Sequence, residues 1–140
     1  MTTPDTSSSD EPEGSPKYHV SYDRLAGLNR SAAVLVASRQ FGSSSRSWSD
    51  LESTDPQKLV DEIAKNYPDE QGFIRSNLPI QEIIFRILLT HRNEPTTLQD
   101  LHYELTETWS TPVRPITITQ AGLRRILDAD SHYGFEIVKV

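Results

Sequence analysis

The chain has 140 residues, 14 Lys and Arg against 20 Asp and Glu, 35% apolar residues and no cysteine. That length fits one small domain with a tail and leaves little room for a two-lobed enzyme, while the missing cysteine excludes disulfide-stapled modules, thiolate zinc sites, Fe-S clusters and cysteine nucleophiles. A net charge of -6 argues against bulk electrostatic coating of nucleic acid or anionic membrane, which needs a basic excess.

The charge is unevenly placed. Asp5, Asp10, Glu11 and Glu13 lie among Ser, Thr and Pro in a stretch with no large apolar residue after Met1. Such a segment cannot bury enough surface to offset the entropy of ordering it, so residues 1–17 read as a disordered acidic tail. With four of the 20 acids there, the remainder is nearly neutral. The start lacks the basic and apolar regions of a signal peptide, and the longest apolar run, Ala32 to Ala37, is far too short to cross a bilayer. The expectation is a soluble, cytoplasmic protein with no membrane partner.

Residues 18–77 read as a helical extension. Tyr22, Leu25, Leu28, Ala32, Leu35 and Arg39 recur at spacings of three and four, which predicts a helix over 23–40; a strand over Ala32 to Ala37 is the competing reading. The interval between Asp23 and Asp50 holds Arg24, Arg30, Arg39 and Arg46 and no acid. It runs into a Ser-rich loop at 42–50, where Arg46 and Trp48 form a candidate phosphate-and-base contact pair. Asp55 and Pro56 then supply the N-cap and first turn of a helix over 56–66, with Leu59 and Ile63 on its buried side.

Residues 78–140 carry the clearest pattern. Ile80, Ile83, Ile84, Ile87 and Leu88 fall at i, i+3, i+4, i+7 and i+8, the signature of a core helix. Thr97 caps a second helix with Leu98, Leu101, Leu105 and Trp109 inward. A third follows Thr119, with Leu123, Ile126 and Leu127 buried and Ala121, Arg124, Arg125 and Asp128 outward at 100 degrees per residue. Phe135, Ile137 and Val138 suit a strand. A full wing needs a second strand, so the hairpin is either incomplete or completed by an earlier segment such as Ile116 to Ile118.

No common catalytic motif is present. There is no phosphate loop and no Gly-x-Ser-x-Gly, and His19, His91, His102 and His132 lack metal-ligand spacing. Asp128, Asp130 and His132 alternate at a helix end, where capping is the default role. Asp61-Glu62 and Asp69-Glu70 read as solvated faces. The chain is read as a non-enzyme without a cofactor, metal or small-molecule substrate.

The run from Pro79 to Leu88, the start Thr97-Leu98-Gln99-Asp100-Leu101 and the close Leu123-Arg124-Arg125-Ile126-Leu127 before Phe135 resemble the winged helix-turn-helix superfamily, in particular its HARE-HTH kind. The resemblance implies a mainly α fold with a small β component, and either DNA binding or docking onto transcription machinery. It implies that the third helix enters the major groove, which places Thr117, Thr119, Gln120, Arg124 and Arg125 at nucleic acid; the acid-free arginine stretch, with Arg39 and Arg46, would add nonspecific contacts. The alternative is a protein-interaction module of the same fold. In that reading Trp48 or Trp109 would anchor an apolar patch, and the acidic tail would act as a competitor or partner-binding arm.

Overall fold

The computed structural model describes residues 15–39, 53–66 and 73–138. Their elements run, in chain order, β1 (Lys17–Val20), α1 (Tyr22–Gly27), α2 (Ala32–Ala37), α3 (Pro56–Asn66), α4 (Ile80–Thr90), β2 (Thr96–Thr97), α5 (Leu98–Tyr103), α6 (Gln120–Asp128) and β3 (Phe135–Ile137). The fold is mainly helical with one small antiparallel sheet, ordered β2-β1-β3.

The centre of that sheet is the segment the sequence left in or beside the tail. Tyr18 pairs with Thr96 on one side and with Ile137 on the other. Order therefore begins before residue 18: the Pro16 carbonyl accepts from the Leu98 amide at 2.8 Å, and Ser15 Oγ accepts from the Gln99 amide at 3.0 Å. Residues 1–14, the rest of the expected tail, lie outside the described residues. The strand beside β3 is β1, whereas Ile116–Ile118 forms none.

Most helices start where a short polar side chain takes up an unsatisfied amide. Ser21, Ser31, Thr97 and Thr119 accept from Arg24, Val34, Asp100 and Gly122 at 2.9–3.2 Å, and Asp55 accepts from Gln57 at 3.0 Å. The helix expected over 23–40 is two helices. Asn29, at φ 60, takes the left-handed conformation that Asn tolerates, and the Arg30 amide closes back onto the Leu25 carbonyl. The chain turns there, and Ser31 restarts it as α2. Ala32–Ala37 is helix, not strand. The second helix of the C-terminal half also departs from regularity, since α5 passes into a π-helical turn over Glu104–Thr108.

The core is continuous across residue 78. Tyr18, Leu25, Val36, Leu59 and Ile63 share one apolar cluster with Ile83, Phe85, Leu88, Leu101, Leu123 and Phe135. Helix α4 runs through it, with Ile83, Ile84, Phe85, Ile87, Leu88 and Leu89 all fully buried; each contributes roughly 1.5–3 kcal/mol by area removed from water. Helix α2 packs on α3 and α3 on α4, while α6 packs on α5 and β3.

Two polar devices fix this arrangement. At the end of α4, Arg92 and Asn93 turn the chain at φ 61 and 60. The buried Asn93 amide then donates to the Val20 carbonyl and its Oδ1 accepts from the Val20 amide, both at 2.8 Å, copying the pairing of a neighbouring strand. At the second, Gly134 adopts φ +83, and a Cβ there would lie 2.7 Å from Leu25 Cγ and 3.1 Å from the Ser21 carbonyl. Only glycine fits this close approach between α1 and the entry to β3.

Candidate nucleic-acid interface

Helix α6 is set by its ends and its inner face. Leu123 and Leu127 are buried, whereas Gln120, Ala121, Arg124 and Arg125 are exposed. On one flank Arg124 lies 3.5 Å from Asp128, and Asp128 accepts from the buried Tyr18 hydroxyl at 2.6 Å, tying α6 to β1. Burial, helped by the hydrogen bond and charge of Asp128, pushes the Tyr18 hydroxyl well above the usual tyrosine range against a smaller opposing effect of Arg124. Arg125, on the other flank, has no carboxylate partner among the described residues.

The approach to α6 is an exposed ridge. Residues 111–115, Thr117 and Thr119 face solvent, and the segment is pinned by Ser110 Oγ accepting from the Ile116 amide at 2.8 Å and by His102 against the Ile118 carbonyl. From 109 to 128 the chain carries Arg114, Arg124 and Arg125 against Asp128 alone, a local charge of +2 within a chain of -6. The acids that make the C-terminal half negative lie mostly elsewhere, several of them already paired: Glu82 with Arg39 and Arg86, Glu104 with His91.

Beyond α6, Asp130 builds the next loop. Its buried carboxylate accepts from the amides of His132, Tyr133, Gly134 and Phe135 at 2.8–3.1 Å, and Arg24 donates to its carbonyl at 2.6 Å. The role is structural, as a helix-end acid suggests. Among the described residues no group of three or more His, Asp or Glu is placed to hold a metal. The loop projects His132 beside Arg30, whose Nη2 lies 3.3 Å from the imidazole Nε2. Nothing local in the sequence joins this pair, whose members stand 102 positions apart. Its one visible signal was the acid-free arginine interval that contains Arg30.

Arg39 does not join the face of α6. Its guanidinium holds Glu82 at 2.6 and 2.9 Å and donates to the Leu35 carbonyl, with the side chain only 14% exposed. Glu82 also accepts from Arg86 at 2.7 Å and from the Tyr133 hydroxyl at 2.9 Å, and Arg39 stacks over Phe85, 5.0 Å from the ring centroid. Burial by itself would raise this carboxyl, but the hydrogen bonds from Arg39 and Arg86, the charge of Arg39 and the Tyr133 hydroxyl bring it down to about 2. The expected phosphate contact is thus a strut of the fold, because a carboxylate 43 positions away claims it. Arg46 and Trp48 lie outside the described residues. Trp109 is partly buried against the core, with its indole N–H 3.4 Å from Glu104.

Two clefts flank the loop. One, of about 750 Å³, is lined by Gln81, Thr119, Arg125, Ile126, His132 and Tyr133 among others; the second, of about 430 Å³, by Arg30, Ser31, Ser38, Arg39 and His132 among others. No described helix is long and apolar enough to cross a membrane. Compared with known proteins, the chain matches no family model, no curated protein and no solved structure.

Proposed function

We propose that the protein is a non-catalytic winged-helix module that binds DNA through α6. The carrying observation is the outward face of that helix: Gln120, Arg124 and Arg125 stand exposed behind Thr119 and Thr117, in a stretch of +2 from which most of the acids are absent. The element order supports the fold half of the reading. A helix (α4), a short strand (β2), two helices (α5, α6) and a strand (β3) follow one another, and β1 lies in the sheet where a wing would supply its second strand. In this reading α6 enters the major groove. Arg125 and Arg124 meet phosphates or the O6 and N7 acceptors of guanine, and Thr117 and Thr119 contact the backbone. Binding is weak at high salt, because so few cations take part.

A duplex titration followed by amide resonances tests it: the peaks of residues 117 to 126 move, and affinity falls as salt rises. If these peaks stay in place under excess duplex at low salt, the DNA reading is wrong.

A second reading, docking onto a protein of the transcription machinery, draws on Tyr103 and Val113, exposed at 63% and 88%. It predicts that a captured partner survives nuclease treatment and is lost on replacing both residues by Ser.

A further inference from the structure

We propose that Arg30, together with His132, holds a second backbone phosphate of the bound duplex, so that the nucleic acid passes from α6 over the His132 loop to the N-terminal helices. This rests on the DNA reading of α6 and adds to it a contact in a part of the chain 95 positions away.

The two clefts that flank the 130–134 loop both include His132 in their walls. One reaches Arg125 and the other reaches Arg30, so a cation stands on each side of one imidazole. The two arginines share a deficit. Each guanidinium carries five donors in a planar fork, and among the described residues neither has a carboxylate within ion-pair distance. Among the other arginines of this region, Arg39 and Arg86 hold Glu82, and Arg24, whose Nε is likewise buried without a partner, donates to the Asp130 carbonyl. Among the described residues Arg30 has only the imidazole 3.3 Å away, itself no anion, and its Nε is buried without a partner there.

No carboxylate among the described residues lines the Arg30 cleft. The acid of the neighbouring cleft, Asp130, has both oxygens occupied by backbone amides, and the nearby Glu82 is covered by Arg39, Arg86 and Tyr133. An anion approaching this surface therefore meets cationic donors with their local acids already paired. A group with several acceptor oxygens around one centre fits a guanidinium fork, and phosphate has that form. A duplex presents phosphates at successive positions along a path, which suits two cations on either side of a loop. A free anion would use only one.

The test compares wild type with Arg30→Ala, Arg30→Lys and Arg125→Ala in binding a labelled duplex over a range of salt. Loss of one phosphate contact lowers the slope of log affinity against log salt by about 0.9. That drop is expected for Arg30→Ala and for Arg125→Ala, while Arg30→Lys keeps the wild-type slope. If Arg30→Ala fails to fold, Arg30→Gln, which keeps the side-chain stem and a donor toward His132, carries the same comparison. A wild-type slope and affinity in the neutral Arg30 variant, alongside weakened binding by Arg125→Ala, overturns this site and leaves the α6 reading standing. Absence of duplex binding by the wild type at low salt overturns both. A third arm uses inorganic phosphate. If it saturates the amide shifts of Ser31 and His132 while the duplex slope is unchanged by loss of Arg30, the site takes a free anion and the continuous track is wrong.

Discussion

Replacing Glu82 by Gln removes one charge from the centre of the Arg39–Glu82–Arg86 cluster while leaving its shape nearly intact. The carboxylate is 9% exposed and receives four hydrogen bonds of 2.6–2.9 Å from Arg39, Arg86 and Tyr133. Its folded pKa of about 2 against an ordinary 4.5 is worth about 3 kcal/mol. Breaking a buried pair from one side costs about 3–5 kcal/mol, so both routes put the loss near 3 kcal/mol. For a domain of this size that is a fall of about 8–15 °C in Tm. The sign with pH follows from the direction of the shift. A carboxyl whose pKa is lowered on folding contributes stability that is complete above 4.5 and disappears as pH falls toward 2. Urea unfolding of both proteins at pH 7, 4 and 2.5 should show a gap of about 3 kcal/mol that narrows steadily toward acid. A gap below about 0.5 kcal/mol at pH 7, which is ordinary surface behaviour, would mean that Glu82 is not held as a buried, paired charge. So would a gap that stays constant down to pH 2.5.

Gly134→Ala places a methyl 2.7 Å from Leu25 Cγ at a positive φ; the expected loss in denaturant unfolding is about 2–4 kcal/mol. Asn93→Ala leaves the buried amide and carbonyl of Val20 unmatched, costing about 2–4 kcal/mol, and hydrogen exchange at the Val20 amide should accelerate accordingly. His91 is raised by its 2.8 Å contact with Glu104, against burial, so the stability from this pair is complete below the ordinary histidine pKa and is lost as pH rises through the folded value. In Glu104→Gln the His91 pKa measured by NMR should fall; an unchanged value would mean that the pair does not form in solution.

What the sequence disclosed was local. Helices α3, α4, α5 and α6 repeat their apolar residues within a few turns, and Asp55, Thr97 and Thr119 mark the starts of α3, α5 and α6, so one short window contains both the pattern and its cause. What it concealed was pairing at a distance. β1 is four residues long with two apolar positions, too few for alternation to register, and what makes it a strand is two neighbours from the far half of the chain. Arg39 carries no local sign that Glu82 will claim it. The break at Asn29 was foreshadowed by the weak helix formers Gly27 and Asn29, but the apolar spacing continues in phase across it and hides the turn. The residues of α6 were legible as one face because one helix carries them all. Arg30 and His132 meet only after the sheet has brought the two ends together.

The place of β1 in the sheet has a kinetic consequence. Val20 pairs with Phe135 and Tyr18 with Ile137, so closure joins positions 115 and 119 residues apart. Loop-closure entropy of that order must be met before the pairing contributes anything, which slows folding relative to a helical bundle of equal length. During synthesis the first strand made is among the last to be satisfied, and until β3 arrives its open edge can pair with another chain. Cuts at Tyr18 and Val20 are therefore expected to speed unfolding and raise early aggregation more than to slow folding, whereas equal-sized cuts in α3, whose partners lie nearby in sequence, act more on the folding rate.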